Sequence, residues 1–334
     1  MVTYKEAGVD IDAQDEAISR IKELVKGTRT KGVLADVGSF GGLFDISRYN
    51  LKNPVFVSSS DGVGTKLKLA FRSKKYDTVG QDLVNHCVND ILVQGAMPLY
   101  FMDYIGTGKL EPGVIEEVIK GFTTACKENE MALLGGEMAE MPGIYDKGHF
   151  DLAGFIVGVV EKEKIRDGSK IKPGDKIIGL KSNGLMTNGY SLAIKVLLEK
   201  YNAEDKIEEL GTTLREALMA IHPCFFNKVY PLLDKYDIRG MAHITGGGLI
   251  DNIPRVLPEN CQARIYKQSW EVPKLFSLIQ KTGNVPKEDM WRTFNMGIGY
   301  VIIVDEKDAL EIMNQVNGMI IGKVIGGEKR VVIE

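Results

Sequence analysis

The sequence predicts an α/β (α+β) protein made of two layered sheet-and-helix domains. Three observations lead there. Short apolar runs of strand length alternate along the whole chain with segments of helical periodicity. Glycines gather where those runs end. The 334 residues exceed the usual span of one domain, roughly 150 residues. A turn-rich break, Asp167-Gly168-Ser169-Lys170-Ile171-Lys172-Pro173-Gly174-Asp175, sets the boundary, giving domains over 1–168 and 169–334.

In the first domain, Ala17, Ile18, Ile21, Leu24 and Val25 recur at helical spacing within 12–26, a charged surface helix or flap. Segment 36–44 is a glycine-rich turn with two aromatics. Val55-Phe56-Val57 reads as a buried strand, three serines end it, and Asp61-Gly62-Val63-Gly64-Thr65-Lys66 forms a loop entering a helix. The helix over 81–94 has Leu83, Val84, Cys87, Val88, Ile91 and Leu92 on one face. Its other face carries Asp82, Asn85, His86, Asn89 and Asp90, which reads either as an ordinary exposed polar face or as short side chains placed for fixed hydrogen bonds or metal. His86 alone is read as a hydrogen-bonded structural histidine, since a metal-bound one needs companions. A strand over 99–104 leads to Thr107-Gly108-Lys109, a helix spans 111–129, and Ala132-Leu133-Leu134 is a strand ending in Gly135-Gly136-Glu137. An apolar strand over 151–160 follows.

In the second domain, strand 176–180 runs into the Gly/Asn loop 182–190 and a helix over 191–199. Segment 214–236 reads as largely helical, interrupted near Pro223. Strand 241–244 ends in Thr245-Gly246-Gly247-Gly248 before a short helix, a pattern suited to cradling phosphate. Strands at 263–266, 298–304, 319–324 and 330–333 and helices at 270–280 and 307–316 complete the chain.

Composition excludes several classes. A net charge of −3 supplies no basic field for nucleic acid or anionic lipid. No segment approaches the ~20 apolar residues of a membrane span, and residues 1–26 lack a secretory core, so a soluble, cytoplasmic protein is expected. Cys87, Cys126, Cys224 and Cys261 form no C-x-x-C pair, which argues against a disulfide framework or zinc site. The Asp61 loop is not a Walker A motif, and no dinucleotide fingerprint is present. What remains is acids at Asp61, Asp82, Asp90 and Glu137 beside glycine turns, with Lys66 and Lys109 in glycine loops. Such a set fits a nucleoside triphosphate held through Mg²⁺.

Those stretches also carry a family resemblance. Tyr4-Lys5-Glu6-Ala7-Gly8-Val9, Phe40-Gly41-Gly42-Leu43-Phe44, Asp61-Gly62-Val63-Gly64-Thr65-Lys66, Val88-Asn89-Asp90-Ile91-Leu92, Gly135-Gly136-Glu137-Met138-Ala139-Glu140-Met141-Pro142-Gly143, Asn188-Gly189-Tyr190-Ser191-Leu192, His243-Ile244-Thr245-Gly246-Gly247-Gly248 and Arg292-Thr293-Phe294-Asn295-Met296-Gly297 occur in order. Together they resemble the aminoimidazole ribonucleotide synthetase (phosphoribosylformylglycinamidine cyclo-ligase) family of de novo purine synthesis. The resemblance implies ATP- and Mg²⁺-dependent closure of the imidazole ring of a small ribonucleotide. It also implies a homodimer in which the N-terminal, ATP-binding sheet forms a barrel with its copy.

By the same resemblance, Asp61, Asp90 and Glu137 are the metal set. Gly62, Gly64, Thr65, Lys66, Asp103, Thr107, Gly108, Lys109, Gly135 and Gly136 would bind nucleotide. Asn188, Thr245, Gly246, Gly247 and Gly248 would bind substrate, and Lys22 and His243 would be catalytic. One residue departs from the family: Met186 stands where members commonly carry His, and methionine neither transfers a proton nor donates a hydrogen bond. Related ATP-dependent amide-activating enzymes, or a nucleotide-binding partner without turnover, are the alternatives.

Overall fold

The computed structural model describes residues 2–35 and 40–334, so the expected turn over 36–44 lies partly outside the described residues. The chain forms two compact units, Met1–Ile91 with Ala96–Glu163, and Leu92–Gly95 with Lys164–Glu334. The sequence places the boundary at 168/169; the units divide at Glu163/Lys164, and the link 92–95 groups with the second unit.

The first unit is built on four strands: β1 (Pro54–Gly62), β2 (Met97–Thr107), β3 (Ala132–Glu140) and β4 (Phe150–Glu161), ordered β1-β4-β2-β3. β2 and β3 are parallel and therefore need a crossover. In chain order the helices are α1 (Ile11–Lys26), α2 (Leu67–Ser73), α3 (Asp77–Leu92) and α4 (Pro112–Glu128), the last being that crossover. Asp10 caps α1 by accepting from the Ala13 N–H, and Pro112 begins α4, where a missing N–H costs nothing. α3 and α4 cross in backbone contact. A Cβ on Gly80 would lie 2.4 Å from Val118 O, and one on Gly121 2.1 Å from Asp77 O. β4 packs on α3 just as closely, with Gly158 facing Ile91.

The structure decides between the two readings of α3, and the strands run longer than expected. The polar face of α3 is buried, and its side chains meet partners: Asp82 with Lys66, His86 with Asp61, and Asn85 with Asn129. β1 continues through the serines to Gly62, and β3 through the glycines to Glu140, because ladder pairing persists where the apolar signal stops. The sheet face turned away from α3 carries Phe56, Met102 and Phe155, which are 57%, 36% and 47% exposed.

The second unit has a six-stranded sheet. Its strands are β5 (Lys176–Lys181), β8 (Ile238–His243), β9 (Cys261–Ile265), β10 (Ile298–Val304), β11 (Met319–Gly326) and β12 (Arg330–Ile333), ordered β12-β9-β11-β5-β10-β8. β6 (Lys206–Ile207) and β7 (Thr212–Thr213) form a separate ribbon. All seven residues of β10 are buried, as a central strand requires. The helices are α5 (Tyr190–Leu198), α6 (Leu214–Leu218), α7 (Phe226–Val229), α8 (Gly248–Asn252), α9 (Lys274–Gly283), α10 (Lys287–Thr293) and α11 (Ala309–Val316).

Segment 214–236 is less helical than expected. Thr213 and Glu216 form a capping box that starts α6, but Pro223 and Pro231 each remove a donor and restrict the residue before them. α9 starts after Pro273 rather than at Trp270, whose backbone is extended. Arg239 on the edge strand β8 ties it to the next two strands of the sheet, bonding Asp175 ahead of β5 and, at 2.5 Å, Asp305 after β10.

Candidate functional site

Asp61, His86 and Asp90 form one cluster. β1 delivers Asp61 at its end, and α3 presents His86 and Asp90 one turn apart. His86 Nε2 lies 2.7 Å from Asp61 Oδ2 and 3.7 Å from Asp90 Oδ2. Ser59 Oγ donates to Asp90 Oδ2 at 3.1 Å. The ligand atoms of Asp61, His86 and Asp90 all lie within 4.8 Å of one another.

Burial opposes charge on both Asp61 and His86, but their pairing prevails. The His86 contact holds the Asp61 carboxyl below its usual range, and the hydrogen bond to Asp61 with the charge of Asp90 raises the imidazole. Two carboxylates and a hydroxyl are hard oxygen donors, and they fit Mg²⁺. Glu137 is not in this cluster. It lies on β3, exposed, with Oε1 accepting its neighbour's N–H from Met138.

Strand register links the two places. Asp61 pairs with Gly154, Gly154 with Asp103, and Asp103 with Gly136, one row across all four strands. At about 4.8 Å per strand, the Cα atoms of Asp61 and Asp103 stand roughly 10 Å apart. Gly136 is small for a reason: a Cβ there would lie 2.3 Å from Asp103 Oδ1.

Asp103, Gly135, Gly136 and Glu137 line a cavity of about 280 Å³ closed by Gln14, Ile18 and Ile21 of α1. Burial raises the Asp103 carboxyl to about 7, and the nearby Glu137 charge adds to that. An adjoining hollow of about 250 Å³ shares Val25, Leu133 and Leu134 with the first and is lined by Lys22, Lys26 and Arg29. Apolar walls with two carboxyls, Asp103 and Glu137, beside a cationic hollow can take a flat heterocycle and an anion together.

The glycine loop is placed differently from its sequence reading. Gly62 belongs to β1, and Gly64 adopts φ +68° with open space where a Cβ would be. Thr65 follows it in a short 3₁₀ turn. Lys66 faces inward: its Nζ lies 2.7 Å from Asp82, both fully buried. Thr107 is buried, its hydroxyl donating to the carbonyls of Lys109 and His149. Gly108 packs on the Tyr145 and Asp146 carbonyls, and Lys109 is exposed. Glu140 ties the end of β3 to Leu110 and to the start of α1 through the Asp10 N–H.

In the second unit, His243 ends β8, and the loop 245–248 follows. Asn252 Nδ2 donates to the carbonyls of Gly246 and Gly248, at 3.1 and 2.8 Å, fixing that loop from inside. Gly247 and Gly248 have φ +94° and +60°, and a Cβ on Gly248 would meet Trp291 O at 2.2 Å. Asn188 Oδ1 would lie 3.3 Å from a Cβ on Gly246, so the two expected substrate loops are neighbours. The buried Asn295 amide shapes the preceding loop, bonding Ser182, Gly184 and Leu185.

Sequence reasoning overlooked His222. It lies in a stretch read as helix, directly before Pro223, and no local pattern marks it. Met186 is buried with φ +65°, its sulfur close to Gly299.

Two family models match the chain: "AIR synthase related protein, N-terminal domain" over residues 45–160, and "AIR synthase related protein, C-terminal domain" over residues 172–334. Phosphoribosylformylglycinamidine cyclo-ligase of Syntrophotalea carbinolica is 53% identical over 320 residues, 95% of this chain and 91% of that protein. The enzyme of the same name from Carboxydothermus hydrogenoformans is 51% identical, covering 99% of this chain and 98% of its own. Among solved structures, thiamine-monophosphate kinase from Stenotrophomonas maltophilia superposes with a TM-score of 0.70 at 15% identity, covering 96% of both chains. Hydrogenase maturation protein HypE in complex with ATP gives 0.67 at 16% identity, covering 96% of this chain and 91% of that one. At such identities the two structures establish the shared fold.

Proposed function

The chain belongs to the phosphoribosylformylglycinamidine cyclo-ligase family of AIR synthase related proteins, and from that premise we propose that it converts formylglycinamidine ribonucleotide and ATP into aminoimidazole ribonucleotide, ADP and phosphate. The observation that carries this reading is identity above 50% with cyclo-ligases across nearly the whole chain.

The chemistry needs an activated amide. An amide oxygen is a poor leaving group, and phosphorylating it gives an iminophosphate. The amidine nitrogen of the same molecule then attacks that carbon, and phosphate departs with the oxygen. Attack within one bound molecule gains from proximity, and the fold must hold the reacting atoms together.

Asp103, with the walls of its cavity, receives the adenine. Gly135 and Gly136 let backbone approach it, and Lys22 reaches the phosphates from the cationic hollow. Asp61 and Asp90 would hold Mg²⁺, which when bound neutralises charge on the transferring phosphoryl group. Glu137 stands at the cavity rim and takes part in the same acidic field. Gly62, Gly64, Thr65, Thr107, Gly108 and Lys109 border the nucleotide. Lys66 supports the loop from behind through Asp82. Asn188 and the loop 245–248 hold the ribotide, and His243 takes the proton that the amidine nitrogen loses.

The apolar face of Phe56, Met102 and Phe155 packs against its copy in a homodimer. Among the described residues no helix is long and apolar enough to cross a membrane, and the reading places the protein in the cytoplasm.

Incubating the purified chain with formylglycinamidine ribonucleotide and Mg²⁺–ATP tests the reading. ADP and the aminoimidazole product should appear in equal amounts. ADP without a ring product would instead assign the chain to another amide-activating activity.

A further inference from the structure

A second buried imidazole faces His243. His222 Nε2 lies 3.0 Å from His243 Nε2, with ring centroids 5.1 Å apart and planes at 61°. The two residues are 0% and 5% exposed. On its far side, His222 Nδ1 lies 3.3 Å from Thr187 Oγ1, and Asn188 Nδ2 reaches that oxygen at 3.5 Å. The chain thus runs Asn188, Thr187, His222, His243, from a substrate loop to the ring assigned to proton transfer.

Two ring nitrogens at this distance hold one proton between them, so the rings cannot choose their tautomers independently. When His243 carries hydrogen on Nε2, His222 presents a lone pair there. His222 then keeps its own proton on Nδ1, directed at Thr187 Oγ1. A protonated His243 meets the same arrangement, and its Nε2–H makes a charge-assisted bond to neutral His222. Moving that proton across the gap makes His222 the imidazolium and returns His243 to neutral, with no other atom displaced. Pro223 keeps His222 out of helical conformation, so the ring is not carried away on α6 or α7. Met186 can do none of this, since its thioether holds no proton.

We propose that His222 is a positioning residue for the ring closure: it fixes the tautomer of His243 and shares the proton that His243 takes from the amidine nitrogen. This rests on the cyclo-ligase reading and on the placement of His243 in it. The proton balance is closed, because the one proton lost by nitrogen on forming the C–N bond resides on the imidazole pair until it passes to water.

The test uses the full chain with three variants. His222→Gln retains a hydrogen-bonding group but cannot carry a proton, His222→Phe retains only bulk, and Thr187→Val removes the hydroxyl behind the pair. Expected in His222→Gln is a kcat for ring formation lower by roughly tenfold or more, within the usual reach of acid–base effects. KM for the ribotide and for ATP should stay within about twofold, the pattern of an interaction made in the transition state. The Tm should not move. His222→Phe should lose as much kcat, and Thr187→Val less. In histidine-¹⁵N-labelled wild-type protein, a through-hydrogen-bond coupling should join the two Nε2 nuclei, and this needs no variant to fold. Wild-type kcat in His222→Gln, a parallel fall of kcat and Tm, or absent coupling between the nitrogens would overturn the proposal. A wild-type chain that forms no aminoimidazole product would sink the cyclo-ligase reading instead, leaving the coupling to decide whether the pair exists.

Discussion

Lys66→Met separates two roles for a lysine that sits in a glycine loop. Its Nζ is 2.7 Å from Asp82 Oδ2, and both side chains are fully buried. Burial pushes the Lys66 pKa down, and the Asp82 charge works against that. Methionine fills nearly the same volume, so little cavity is created. What changes is that Asp82 loses the positive charge it faces. Removing one member of a buried ion pair costs about 3–5 kcal/mol. Replacing both, in Lys66→Met with Asp82→Leu, removes the buried charge as well and should recover most of that loss. Trp270 and Trp291 both belong to the C-terminal unit and would miss the event. Hydrogen exchange in β1 to β4 is the suitable assay, and the single variant should lose protection there by about two to four powers of ten. In the folded double variant, KM for ATP should stay within about threefold. Full protection in the single variant, or a hundredfold rise in KM for ATP in a stable double variant, would refute the reasoning and return Lys66 to the nucleotide.

Asp90→Asn should raise the Mg²⁺ concentration needed for half-maximal turnover by about tenfold or more while leaving the Tm close to wild type, read by Mg²⁺ titration of ADP release. Asp103 titrates near 7 when folded and at the ordinary carboxylate value when unfolded, so between those values the folded form holds the extra proton. Stability should therefore fall as pH rises from about 4 to 7, by at most about 1.4 kcal/mol per pH unit from this group, and urea titrations of Asp103→Asn should lack that slope. Phe155→Glu places a charge on the exposed apolar sheet face and should convert a dimer to monomers in sedimentation velocity, with each monomer still folded.

The elements easiest to read were those whose sequence signal and burial coincide. Strand 298–304 is apolar throughout and buried throughout. α3 shows the limit of that logic. Its periodicity is amphipathic, yet Asp82, Asn85 and His86 are inside, because they meet partners from the 3₁₀ turn, the end of α4 and β1. A helical wheel cannot distinguish a polar face in water from one satisfied in the interior. The same ambiguity bears on Lys66, since a lysine after glycines reads alike whether its ammonium points out or in. It also hid His222, whose partners Thr187 and His243 are distant along the chain.

Strand ends failed for a different reason. Ser58, Ser59 and Ser60, like Gly135 and Gly136, carry no apolar signal, but the backbone needs only a neighbour to pair with. That pairing is what creates the site. Asp61 and Asp103 share one face because the row Asp61, Gly154, Asp103, Gly136 is in register. A slip of one residue would send Asp103 to the other face while Asp61 stayed with His86. The glycines guard against it. A side chain at 136 would collide with the Asp103 carboxyl, and one at 154 would meet the Phe101 ring at 2.4 Å. Any register that placed a larger residue opposite Asp103 on β3 would have to displace that carboxyl. The two glycines, unremarkable as letters, therefore help to set where the acids stand.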